Sequence, residues 1–255
     1  MSVDIFRHAD RALMVMLNFM SREFQNLSTE IGFDEMNVME TRRRVNAMYE
    51  RMDKVIRREY RSVARKSYMD AIAEAGVDGG AFDAEKFVSG MLKAYDPVSD
   101  FIYDREWIRK RDRLFESIIA TERGNQEMRK NLKRGLDVLA NQVRQYADNI
   151  TAQARVTAFK RAGADVLVWI TEKDEKVCSV CKPRDEQFYP IEMLPEYPAH
   201  WRCRCRLDWV GMEERRKGNK KSRWRNKREM RFPIGAGRGA VLPFRRAVDA
   251  PLLGS

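Results

Sequence analysis

Cysteine and histidine are scarce in this chain, with 4 and 2 among 255 residues. No cysteine precedes Cys178, which excludes a disulfide framework spread through the body. Long apolar runs are lacking as well. Even Ala12-Leu-Met-Val-Met-Leu17 soon meets Asn18, Ser21 and Arg22, and a membrane span needs roughly eighteen apolar residues in a row. The opening Met1-Ser-Val-Asp-Ile-Phe6 carries no basic start, apolar run or small-residue cleavage site, the marks of a secretory leader. The expectation is a soluble protein of a reducing compartment, without membrane contact and with free thiols. Acidic residues run short at one end only: residues 211–255 hold thirteen Lys/Arg against four Asp/Glu, so +9 of the net +11 lies there. The first 210 residues are nearly neutral.

The period of the first 160 or so residues is helical. Val45, Met48, Tyr49, Met52, Val55, Ile56, Tyr60 and Val63 recur in steps of mostly three and four, with Arg and Glu on the other faces, as in one long amphipathic helix. Asp34 is its expected cap, and Gly76 with Gly79-Gly80 its expected end. A shorter helix is expected from Asp83 to Ala94, stopping before Asp96-Pro97 because a residue preceding proline is pushed out of helical geometry. Another is expected from Ser99 to Ile119. A last one runs from Gln126 to Ala162 on the stripe Met128, Leu132, Leu136, Leu139, Val143 and Tyr146. Such stripes are packing faces. Forty helical residues nevertheless span about 60 Å, longer than a core of this size needs, so part of the stripe is expected to meet another chain. His8 sits among Phe6, Ala9 and Ala12 and reads as a surface or packing histidine.

All four cysteines and the other histidine fall in one window, Cys178-Ser-Val-Cys181 followed by His200-Trp-Arg-Cys203-Arg-Cys205. Two thiolates in a Cys-x-x-Cys pair, then imidazole and thiolate ligands about twenty residues on, have the spacing of a tetrahedral structural zinc site. Five donors are one more than a closed site uses. Cys178 and Cys181 form the first pair, and the second is drawn from His200, Cys203 and Cys205, with His200 and one of the two cysteines preferred. Around the ligands the period changes. Val166-Leu-Val-Trp-Ile170, Gln187-Phe-Tyr-Pro-Ile191 and Leu207-Asp-Trp-Val210 read as short strands. About 45 residues bury too little apolar surface to fold alone, so one zinc ion, worth about 10 kcal/mol or more in small zinc modules, is expected to staple them.

The ordered series Arg155, Phe159, Gly163, Trp169, Asp174, Cys178, Cys181, Tyr189, Pro198, His200, Cys203 and Cys205 resembles the C-terminal domain of the phage Mu F-like head morphogenesis proteins. Pro198-Ala-His200-Trp-Arg-Cys203-Arg-Cys205 stands where that family ends its pattern. Two positions depart from it: Arg184-Asp185-Glu186 replaces the usual Asp-Gly or Asn-Gly turn, and Trp201 replaces a proline. The resemblance covers about residues 150–210. It implies a minor capsid protein of a tailed bacteriophage, assembled in the host bacterial cytoplasm and placed inside the virion head. Its implied partners are the portal, with scaffold and major capsid proteins as further ones.

The architecture expected from all this is mainly α, with an elongated helical region over 1–149, a small α+β zinc-stapled domain over 150–210 and a basic tail over 211–255. In that tail Arg215, Arg216, Lys217, Lys220, Lys221, Arg223, Trp224, Arg225, Lys227 and Arg228 form a cationic, aromatic-bearing tract suited to nucleic-acid phosphates through counterion release. Viral DNA or an acidic protein surface is the expected partner. Gly235-Ala-Gly237-Arg-Gly239 neither follows a strand nor ends in Gly-Lys-Ser/Thr, so it is no phosphate loop. The rival functions are a zinc-dependent nucleic-acid-binding protein and a nuclease. A closed site leaves no open metal position for activating water, and no catalytic residue and no enzymatic activity are expected.

Overall fold

Short connections and strong amphipathic periods make this chain fold back on itself. The computed structural model describes residues 4–33, 37–121 and 126–209. Among them are five α-helices: α1 (Arg7–Phe33), α2 (Val38–Ala75), α3 (Ala84–Lys93), α4 (Tyr103–Ile119) and α5 (Gln126–Arg161). The chain is mainly helical, with small sheets. None of the described helices is long and apolar enough to cross a membrane.

Local chemistry sets the helix ends. Asn37 caps α2, its side chain accepting from the Glu40 N–H at 2.9 Å and satisfying one of the orphan donors of the first turn; Asp34 lies outside the described residues. Gly76 closes the same helix at φ 66°, a conformation that costs glycine little. Asp83 caps α3 through the Lys86 N–H. Helix α4 begins at Tyr103 rather than at Ser99. The Asp96 carboxylate accepts from the Val98 N–H and from the Ser99 hydroxyl, and Asp100 takes φ 61°. This turn chemistry competes with helix formation and yields a minimal hairpin of β1 (Tyr95–Asp96) and β2 (Phe101–Ile102).

Cross-helix contacts give the directions. Arg44–Glu30, Arg51–Glu23 and Arg7–Asp70 run α1 antiparallel to α2, whereas Tyr60 with Val143 and Glu74 with Arg155 run α5 parallel to it. The stripe of α2 is spent inside this chain. Val45, Met48, Met52, Ile56 and Tyr60 are buried in one core with residues of α1, α3, α4 and α5, each large side chain contributing about 1.5–3 kcal/mol. The expectation that part of the stripe awaits another chain is thereby corrected: the long helices pack side by side, so length does not leave the stripe bare.

A second core forms where the ends of α2 and α5 meet a three-stranded antiparallel sheet. Tyr68, Ala71, Ile72 and Ala75 of α2 and Phe159 of α5 pack with Leu167, Trp169 and Leu207 and with three of the cysteines. The sheet has β3 (Val166–Ile170) between β4 (Phe188–Pro190) and β5 (Arg206–Trp209), in register Val168 opposite Phe188 and Trp169 opposite Leu207. Helix α5 crosses position 150 unbroken, so the metal-ligand region and the helical body share it. It ends in a Schellman motif: Gly163 at φ 79° donates to Lys160 O, and the Ala164 N–H donates to Phe159 O at 2.9 Å.

Candidate metal centre

Strand β3 leads from that motif into the first ligand turn. The Asp174 carboxylate accepts from the Lys176 N–H, and the chain then curls around Cys178. The Cys181 N–H points at Cys178 Sγ, 3.3 Å away, and the Lys182 N–H donates to Cys178 O at 2.9 Å. The return to β4 passes through Glu186 at φ 59°, so the glycine-type conformation is kept here by a glutamate. The second ligand turn is closed by the Cys203 N–H donating to His200 O at 3.2 Å, with Arg202 at φ 57°. A two-pronged ion pair, Arg204 to Asp174 with both contacts at 2.7 Å, ties one turn to the other. It holds the Asp174 carboxyl below its ordinary value.

All five sequence-derived donors come together. They form two triads sharing Cys181: Cys178, Cys181 and His200, and Cys181, Cys203 and Cys205, with the donor atoms of each within 4.8 Å of one another. His200 Nε2 lies 3.1 Å from both Cys178 Sγ and Cys181 Sγ. Cys181 Sγ stands 3.8 Å from Cys203 Sγ, the separation that two bonds of about 2.3 Å at the tetrahedral angle produce. All four cysteines are free, so no disulfide competes for them.

The chemistry of the donors fits a soft divalent ion. His200 Nδ1 is 2.8 Å from the Trp201 carbonyl; donating there, it leaves the Nε2 lone pair facing the thiols, as a backbone carbonyl commonly orients a metal-ligating histidine. Crowded thiols resist ionising together. The hydrogen bond from Cys205 pulls the Cys203 thiol down. Burial, then the neighbouring Cys203 charge, pushes Cys181 up, and the hydrogen bond to Cys203 raises Cys205. A dication removes that conflict by holding several thiolates at once. The buried Trp169 Nε1 has no hydrogen-bond partner among the described residues. Trp169 is itself fixed by Tyr197 edge-on at 5.2 Å and by the Arg184 guanidinium over its ring at 5.0 Å.

The other sequence-derived residues fare differently. His8 is neither bare surface nor simple packing: its Nε2 lies 2.8 Å from Asp70 Oδ2, which Arg7 also contacts, and so it fastens α1 to α2. The basic tract Arg215, Arg216, Lys217, Lys220, Lys221, Arg223, Trp224, Arg225, Lys227 and Arg228 lies outside the described residues. A surface cavity of about 470 Å³ between α2 and α3, lined by Arg58, Arg61, Arg65, Lys66, Asp83 and Glu85 among others, includes none of the cluster. Its cations Arg61 and Arg58 are already paired with Glu85 and Glu59. Sequence reasoning missed the carboxamides of α5 that reach the second ligand turn, although their spacing of four residues was visible. No protein-family model, curated protein or solved structure matches this chain.

Proposed function

We propose that this chain is a minor capsid, head morphogenesis protein of a tailed bacteriophage, a structural component and not an enzyme. Its terminal unit is stapled by one zinc ion. Cys178, Cys181 and His200 hold the metal, with the fourth ligand from Cys203 or Cys205. Bound there, zinc serves as a cross-link that substitutes for core. The observation that carries the reading is that every cysteine and His200 fall into two donor triads joined at Cys181, within a segment whose Pro-x-His-x-x-Cys-Arg-Cys ending resembles that family. The fold is consistent with the role: a helical body offers surface for docking on a portal inside the head, and the basic tail, at +9, suits packaged DNA.

The test is co-purification. Expressed with the portal protein encoded in the same genome, the chain should sediment with portal-containing particles, and Cys178→Ser should abolish that association. A genome without a portal gene, or a chain that stays apart from portal particles, contradicts the proposal. Should the pure protein instead cut DNA, with the activity lost on one carboxylate substitution, the nuclease reading replaces it.

A further inference from the structure

Asn141, Gln145, Asn149 and Gln153 stand four residues apart on α5 and so line up on one face. Gln145 and Asn149 are 1% and 5% exposed. A buried helix face is ordinarily apolar, and burying a carboxamide is unfavourable unless its oxygen and nitrogen find partners. The partners are informative. Gln153 Nε2 donates to the Tyr197 carbonyl, Gln145 Oε1 accepts from the Arg202 N–H at 3.3 Å, and Asn141 Oδ1 accepts from the Arg202 guanidinium at 3.4 Å. Asn149 joins the row to the helical body: it accepts from Gln145 Nε2 at 2.8 Å and donates to Asp96 Oδ2 at 3.1 Å. Asp96 in turn holds the β1–β2 turn.

The segment these side chains grip, 197–202, is irregular and has no strand ladder to satisfy its backbone. It carries His200 and delivers Cys203, and its last residue, Arg202, sits at φ 57°, a conformation unfavourable for a side chain of this kind. The turn that orients both donors therefore depends on contacts from outside itself. We infer that this carboxamide row consists of positioning residues for the metal centre, holding segment 197–202 in its ligating shape and joining the metal to the helical body through Asn149 and Asp96. The inference rests on the zinc reading and adds a consequence to it. Coupling is reciprocal: a row that favours the ligating shape makes bound zinc favour the docked row and the β1–β2 turn behind it.

The test uses the full chain and Gln145→Met, which keeps the length of the side chain and removes its hydrogen bonds, with exposed Gln25→Met as control. Zinc affinity is read by competition with a chromophoric chelator, ligand geometry by the visible spectrum of the cobalt-loaded protein, and coupling by amide exchange over residues 95–102 with and without zinc. Gln145→Met should weaken zinc 10–100-fold, as loss of outer-shell support typically does. It should also shift the cobalt bands and abolish the zinc-induced slowing of exchange seen in the unsubstituted protein. Asn141→Ala, at an exposed position, should weaken zinc severalfold even if Gln145→Met fails to fold. Unchanged zinc affinity and spectrum in both variants, with the unsubstituted protein binding zinc, overturns the positioning role alone. An unsubstituted protein that binds neither metal overturns the zinc reading and this inference with it.

Discussion

Cys181 is the donor common to both triads, and its replacement is the sharpest perturbation of the centre. Its sulfur lies 3.1 Å from His200 Nε2 and 3.8 Å from Cys203 Sγ, and the residue is 1% exposed. Cys181→Ser leaves two separated pairs, Cys178 with His200 and Cys203 with Cys205. Cys205→Ser leaves the triad of Cys178, Cys181 and His200 whole, with Cys203 still beside Cys181. Changing an outer-shell partner already costs about 10–100-fold in metal affinity, so losing the shared ligand should exceed about 100-fold, at least about 2.8 kcal/mol. Structural zinc in small modules contributes about 10–16 kcal/mol in all. Chelator competition measures the affinity, and limited proteolysis of residues 163–209 reports the fold. Cys181→Ser should lose zinc and open that segment to protease, and Cys205→Ser should do so far less. Equal losses in the two variants, or a Cys181→Ser protein that binds zinc normally, would refute the shared-donor geometry.

Glu74→Gln strands Arg155, which is 4% exposed and paired with Glu74 at 2.7 Å; breaking one side of a buried pair costs about 3–5 kcal/mol, to be seen as a lowered urea midpoint, and an unchanged midpoint contradicts the buried-pair account. Burial, with the like charge of Asp10 behind it, pushes Asp148 up to about 7. The folded chain therefore keeps a proton that the unfolded one releases near pH 4, so the contribution of this group is full below about pH 4 and is lost as pH rises toward 7. Asp148→Asn should flatten the fall in stability between pH 4 and 7, and an identical pH profile argues against the shift. Deleting residues 211–255 removes +9 and leaves +2; DNA affinity should drop and its salt dependence become shallow, whereas an unaltered salt slope places the contact elsewhere.

Much of this architecture was legible because its signals are local. The three-and-four stripe of α2, the glycine at 76 and the proline at 97 act within a few residues, and the helices stand about where these put them. The ends that slipped were decided by side chains competing for backbone groups: α2 starts after Asn37, and Asp96 with Ser99 builds a hairpin ahead of α4. The donors were legible as a set, because their types and spacing are written in the chain. Their division into triads around Cys181 was not, since it depends on how two turns approach each other. Least legible was the carboxamide row, which period analysis counts merely as polar residues on a helix. Its meaning comes from a loop some fifty residues away.

The central claim, that Cys178, Cys181 and His200 with one of Cys203 and Cys205 hold a structural metal, is tested most directly by metal content. Protein purified without chelator and with its thiols kept reduced should carry about one zinc per chain, visible by elemental analysis and as the mass increment in native mass spectrometry. The ion should be released in step with loss of protease resistance in residues 163–209. Protein that is folded and protease-resistant with no metal, its thiols free or joined in disulfides, would contradict the account.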